Sequence, residues 1–168
     1  MIFRAHSRLF RDPTLCPEVP GAAAILTELV ERTDFAISLA TGCWCESAEL
    51  KLRRAGLYRE NIPLASSSDA PSRQEIMAIA LDRAASLQGI SSFDSVVYVG
   101  DAIWDLKAAT SLGYGFVGIG RGERAERLRL EGAEWVLADF TNRGLFQEVI
   151  DKLERHLTQR HNVSRQES

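Results

Sequence analysis

The sequence predicts an α/β fold, a parallel β-sheet with flanking helices arranged in three layers, α/β/α. Three observations predict it. Short apolar runs alternate with segments of helical period, the runs are apolar on both faces, and each is closed at once by Gly, Thr or Asp. Strands buried on both faces need helices above and below them, and the alternation supplies those helices.

The elements follow in order. Pro20-Gly21 opens a helix over roughly 21–32, with Ile25, Leu26, Leu29 and Val30 on one face. The first apolar run, 35–40, is closed by Thr41-Gly42. A helix over 46–55 carries Leu50 and Leu52 among charges and stops at Gly56. Ser72 and Glu75 form the Ser-x-x-Glu pattern of a capping box, and Ile76, Ile79 and Leu87 continue the stripe of that helix. The second run, 96–99, leads into Gly100-Asp101, and a helix over 105–112 ends at Gly113. A third run, 116–119, gives way to Gly120-Arg121-Gly122 and a helix over 123–130 that stops before Gly132. A weaker fourth run, 134–138, ends at Asp139. The last helix, over 143–158, buries Leu145, Phe146, Val149, Ile150, Leu153 and Leu157, and the polar residues 159–168 are expected as a disordered tail.

At 168 residues and 18.6 kDa the chain makes one domain, expected over 20–158 with 1–19 as a linker. Hydrophobic residues are 45% and charged residues 26%, enough apolar material for a core. With 20 basic and 23 acidic residues the formal charge is −3, which argues against binding nucleic acid through a broad basic surface. No apolar run approaches the roughly 18 residues that span a bilayer. Arg4 and His6 interrupt the N-terminus too early for a signal peptide. Three cysteines without signs of secretion read as reduced thiols of a cytoplasmic protein, which leaves the sequon at Asn162 without a use.

In parallel sheets ligands bind beyond the carboxyl ends of strands, so the residues closing each run carry the chemistry. Asp101 and Asp105 stand four apart, and a helix starting near Ala102 turns both carboxylates to the strand-end crevice. Two hard oxygen ligands there suit Mg²⁺; alternatively Asp101 is an N-cap and Asp105 a solvated helix residue. Thr41-Gly42 offers a hydroxyl and a backbone amide to a phosphate oxygen, or is an ordinary turn. Arg73 at a helix start can face a phosphoryl group, or solvent.

Taken together, the order strand-Thr-Gly, basic residue opening a helix, strand-Gly-Asp-x-x-x-Asp resembles the haloacid dehalogenase superfamily, over roughly 18–155. Leu39-Ala40-Thr41-Gly42 is similar to its second motif, Arg73 stands where the third motif has a basic residue, usually Lys, and residues 97–109 are similar to the fourth. Residues 49–57 resemble the helix that follows the second motif, and Pro20-Gly21-Ala22 the point where the chain re-enters the core. The resemblance implies a Rossmann-like sheet and a Mg²⁺-dependent phosphatase acting on a small phosphomonoester, with phosphoglycolate-phosphatase-like enzymes as nearest relatives. Thr41, Gly42 and Arg73 would bind the phosphoryl group, Thr41 and Arg73 acting in catalysis. Asp101 and Asp105 would hold Mg²⁺. The expected partner is a small phosphorylated metabolite, with neither nucleic acid nor membrane involved.

One departure matters. The family's first motif, D-x-D-x-T at a strand end, supplies the nucleophile, and it is not found. Aligning Asp12 with its second aspartate puts Phe10 at the nucleophile's place, so 1–19 reads better as a linker or the remnant of a cap. The missing strand is central in the family, between the strand ending at Thr41 and the one ending at Asp101. Its loss would leave two apolar edges unpaired, to be filled by an upstream segment, a homo-oligomer or a partner chain completing the sheet. The alternative function is therefore a catalytically inactive remnant that binds metal, phosphate or a partner. A receiver-type signalling module is disfavoured because the Thr-bearing strand comes first.

The remaining residues read plainly. Cys43 and Cys45, at a helix start, lack the neighbours a zinc site needs. Trp44 and Trp104 follow the two functional loops and could wall a pocket, although core packing is the commoner role of such residues. His156 and His161 are expected to face solvent, and His6 has no evident partner. The run Arg121, Arg124, Arg127 and Arg129, interleaved with Glu123, Glu126 and Glu131, reads as a solvated helix face.

Overall fold

A computed structural model describes residues 18–166, with side chains described through 159. The expectations for His6, Phe10, Asp12, Cys16 and the linker up to residue 17 lie outside the described residues, as does the side chain of His161. The chain runs α1 (Ala22–Glu31), β1 (Leu39–Ala40), α2 (Cys45–Arg54), β2 (Leu64–Ala65), α3 (Arg73–Gln88), β3 (Val97–Gly100), α4 (Ile103–Ser111), β4 (Gly115–Ile119), α5 (Glu123–Leu130), β5 (Trp135–Leu137) and α6 (Arg143–Gln166). None of the helices is long and apolar enough to cross a membrane, among the described residues.

The strands form two parallel sheets, β1-β2 and β3-β4-β5. Registers are Leu39 opposite Leu64, Val97 opposite Gly115 and Val117 opposite Trp135. Side chains alternate across β3-β4-β5 as the strand period requires. Val97, Val99, Val117, Ile119 and Leu137 face α1 and α6, where Ile25, Phe146, Val149, Ile150 and Leu153 complete one core. Tyr98, Phe116 and Val136 face the other way, onto Leu106 and Ala109 of α4 and Leu128 of α5. The three-layer arrangement expected from the sequence is thus realised around this sheet. Each large apolar side chain buried here contributes roughly 1.5–3 kcal/mol. The β1-β2 sheet packs on α3 through a thinner cluster of Ala65, Ala70, Ile76 and Ala80.

Local signals explain the boundaries. Gly21 caps α1 at φ 83, the left-handed region, and a Cβ there would lie 2.6 Å from the Phe140 carbonyl carbon. That close approach lets the Phe140 amide donate to the Pro20 carbonyl at 2.9 Å, pinning the chain's entry beside the end of β5. The capping box is complete: the Glu75 amide donates to Ser72 Oγ at 3.2 Å while Glu75 accepts from the Ser72 amide and hydroxyl.

Three elements differ from expectation. The run 35–40 is a strand only at 39–40, because strand pairing needs a neighbour and only β2 flanks it. β2 itself was not expected; two apolar residues are too few to register as a run. Helix α6 continues to Gln166 where a disordered tail from 159 was expected. With no Gly or Pro in 159–166, each added residue closes one more helical hydrogen bond at little cost.

The far edges of β1 and β3 face one another without pairing. Between them lies a cavity of about 1030 Å³, walled by Ile37 and Leu39 on one side, Val97 and Val99 on the other, and Leu29 of α1 and Met77 of α3 above and below. The Tyr98 hydroxyl reaches across between the two edges and donates to the Ala40 carbonyl, at 3.2 Å.

Candidate active site at the strand carboxyl ends

Thr41-Gly42 leaves β1, Arg73 opens α3, Asp101 follows β3, and Asp105 sits in the first turn of α4. These elements converge on the Arg73 guanidinium. Its Nε lies 2.9 Å from Asp105 Oδ1, with side chains only 19% and 7% exposed. A Cβ at residue 42 would stand 3.2 Å from Arg73 Nη2, so glycine lets the guanidinium approach the backbone there. Burial pushes the Asp105 carboxyl above the usual range, opposed by Arg73 and reinforced by the charge of Asp101. Asp105 is therefore no solvated helix residue, and Arg73 no free surface arginine.

Thr41 is anchored from its backbone, donating to the Ala65 carbonyl at 2.9 Å, and its Oγ1 accepts from the Cys43 amide at 3.2 Å. The Ser67 amide donates to the Cys43 carbonyl at 3.0 Å, tying the loop after β2 to the loop after β1. Among the described residues, two buried side-chain oxygens have no aligned hydrogen bond, Ser67 Oγ and Asp105 Oδ1. Ser67 Oγ stands in this loop cluster and Asp105 Oδ1 in the first turn of α4, and a buried oxygen without an aligned donor is a ready acceptor for a ligand's hydrogen or a cation. Arg73 satisfies Asp105 Oδ1 by charge alone.

Asp101 is different. Its carboxylate is exposed and accepts from Arg124 Nη1 at 2.8 Å. Arg121, Arg124, Arg127 and Arg129 are exposed, as expected of a solvated face, and from it two of them make ion pairs, Arg124 with Asp101 and Arg121 with Asp139. The alternation of Arg and Glu in 121–131 hid both, since periodicity reports a helix face and not which side chain is long enough to leave it. Ser67 was also missed, although a hydroxyl run directly after two apolar residues carries the strand-end signal. Trp44 and Trp104 are 71% and 64% exposed, so the core-packing expectation is corrected. Each sits where a helix begins, Trp44 as the N-cap of α2 and Trp104 in the first turn of α4, above the sheet's end rather than over its face.

Cys43 and Cys45 are free thiols. Lys51 Nζ lies 3.1 Å from Cys43 Sγ, and that contact holds the Cys43 thiol below its ordinary range, with smaller help from Thr41 and Arg73. No group of three or more His, Cys, Asp or Glu side chains gathers as a metal centre among the described residues. Two carboxylates, one with an unaligned buried oxygen, nevertheless fit Mg²⁺, which takes one or two carboxylates and completes its shell with water and phosphate.

No protein-family model matches the chain, and no curated protein is significantly similar to it. Among solved structures it is similar to a hydrolase from Pseudomonas syringae, with 24% identity over 79% of this chain and 60% of that one, at a TM-score of 0.61. It is also similar to a haloacid dehalogenase-like protein of unknown function from Agrobacterium tumefaciens, with 19% identity over 86% of this chain and 65% of that one, at a TM-score of 0.61. The chain spans less than two thirds of either. These likenesses show the fold: a haloacid dehalogenase-like α/β arrangement of parallel strands flanked by helices.

Proposed function

We propose that this chain carries the phosphoryl- and Mg²⁺-binding half of a haloacid dehalogenase-type hydrolase that acts on a small phosphomonoester, of the phosphoglycolate-phosphatase-like kind. The observation that supports it is the buried Arg73–Asp105 contact, flanked by Gly42 and held at the carboxyl ends of β1 and β3. In this reading the Thr41 hydroxyl and Gly42 amide orient the phosphate oxygens while Arg73 faces their charge. Arg73 is kept in place by Asp105, and its guanidinium offers the planar donor fork suited to phosphate. Asp101 and Asp105 would hold Mg²⁺, which when bound neutralises phosphoryl charge. Asp101 is exposed and reaches a cation by releasing Arg124. The chain's residues position and neutralise. The attack itself is left to a carboxylate elsewhere in the protein, on which turnover depends.

A Mg²⁺-dependent release of phosphate from a panel of small phosphomonoesters, lost in Asp101→Asn, is the expected result. Release that is indifferent to Mg²⁺, or that survives the substitution, overturns the metal assignment. A second reading rests on the sequence, in which the first motif is not found: an inactive remnant that binds phosphate or metal. Calorimetric binding of inorganic phosphate with Mg²⁺, without turnover of any ester, would select it.

A further inference from the structure

We infer that Arg124 is an internal counter-ion of the site, which competes with a divalent cation for the Asp101 carboxylate and so weakens the site's hold on that cation. The inference rests on the reading of Asp101 and Asp105 as the cation's ligands, and it adds the residue that regulates their affinity. Arg124 Nη1 lies 2.8 Å from Asp101 Oδ2. A guanidinium and a divalent cation on one carboxylate repel each other, so each contact is made at the other's expense.

The local sequence sends Arg124 to Asp101. Partners on a helix stand three or four residues away, and along α5 those positions are Arg127 and Leu128, neither a carboxylate. Arg121, just before the helix, is turned to Asp139 instead. Glycine at 120 supplies the path. A Cβ there would lie 3.0 Å from Arg124 Cγ and 3.1 Å from its Cδ, so the stem lies along the loop that follows β4. That loop is itself fixed, since the Gly120 amide donates to the Leu137 carbonyl at 2.9 Å. A side chain laid on a fixed loop loses less freedom on pairing than one that swings through solvent. The Arg124–Asp101 contact is therefore built into the β4–α5 connection.

The two arginines of the site differ in how readily they yield. The side chains of Arg73 and Asp105 are 19% and 7% exposed, those of Arg124 and Asp101 62% and 59%. Breaking the buried pair would strand a charge away from water, whereas both partners of the exposed pair rehydrate on parting. Asp101 thus accepts a cation by letting Arg124 go, and Arg73 stays where it is. Because an exposed pair is weak, Arg124 tunes the affinity and does not bar the site.

The test is calorimetric titration of the full chain with Mg²⁺ alone, for the unmodified protein, Arg124→Gln and Arg127→Gln. Arg127→Gln removes the same charge one turn along the exposed face of α5, and so controls for the general field of the helix. Arg124→Gln should bind Mg²⁺ about threefold more tightly, the scale of one exposed ion pair, and Arg127→Gln should stay within about 1.5-fold of the unmodified protein. Affinity in Arg124→Gln that equals or falls below that of the unmodified protein overturns the inference, and so does equal tightening in both variants. Either result leaves the metal reading standing. No binding of Mg²⁺ by any of the three proteins overturns both.

Discussion

Replacing Arg73 by Met should expose how the centre of the site is held together. The Asp105 side chain is 7% exposed and Arg73 is its close cation. Removing one partner of a buried ion pair costs about 3–5 kcal/mol, and the partial exposure of Arg73 places this pair near 3 kcal/mol at about pH 7. With a urea dependence of about 2 kcal/mol per molar, the unfolding midpoint should fall by about 1.5 M. The loss should depend on pH in a fixed sense. Burial holds the Asp105 carboxyl above its unfolded value of about 3.9, and Arg73 is the largest influence against that rise. Without Arg73 the folded state binds the proton still more tightly. A group with a raised folded pKa favours the fold below its unfolded pKa, and that advantage is lost as pH rises through the folded one. The R73M penalty should therefore be small near about pH 4 and grow toward neutrality, because protonation removes the buried charge. Urea titrations of both proteins across that range, with Arg73→Met/Asp105→Leu as a control that removes both charges, measure it. A penalty that is flat with pH, or one that the double variant fails to relieve, would refute the reasoning.

Two further outcomes are expected. Gly21→Ala puts a Cβ 2.6 Å from the Phe140 carbonyl carbon at φ +83, whereas Gly89→Ala, at φ +66, meets nothing within 4 Å. The second should cost about 1 kcal/mol of left-handed strain, and the first about 3 kcal/mol once the clash and the Pro20–Phe140 hydrogen bond are included; equal urea midpoints would show that the close approach is not real. Cys43 should alkylate faster than Cys45 near neutral pH, and Lys51→Met should slow it about threefold or more, because thiolate content sets the rate. Peptide mapping after brief iodoacetamide treatment reads both, and an unaltered Cys43 rate would remove Lys51 as the cause.

The parts of the molecule that a one-dimensional pattern encodes were legible. β3, β4 and β5 are apolar runs closed by Gly or Asp, α2, α4 and α5 end within two residues of their Gly signals, and α3 starts at its capping box. Thr41, Gly42, Arg73 and Asp105 were legible as strand-end and helix-start chemistry, and the structure gathers them. What escaped depends on reach or on neighbours. Arg124 touches Asp101 only because α5 lies beside α4. Residues 35–38 have strand composition and no strand to pair with, so their sequence states a preference that the surroundings do not meet. Trp44 and Trp104 obey no hydrophobic period because each stands at a helix start, where the side chain clears the sheet.

The unequal cores on the two sides of the cavity between β1 and β3 have a dynamic consequence. Phe146, Val149, Ile150 and Leu153 anchor the β3-β5 sheet, whereas β1-β2 leans on a cluster made mostly of alanines. Cooperative opening costs least where the least apolar surface is buried, so the β1-β2 layer should form a separate foldon that opens before the rest. Native-state hydrogen exchange should rank the Leu39 and Ala65 amides below those of Val117 and Ile119. Thr41 and Gly42 then ride on the softer half and Asp105 on the stiffer one, so the two sides of a bound phosphate would be held by parts of the protein with different lifetimes.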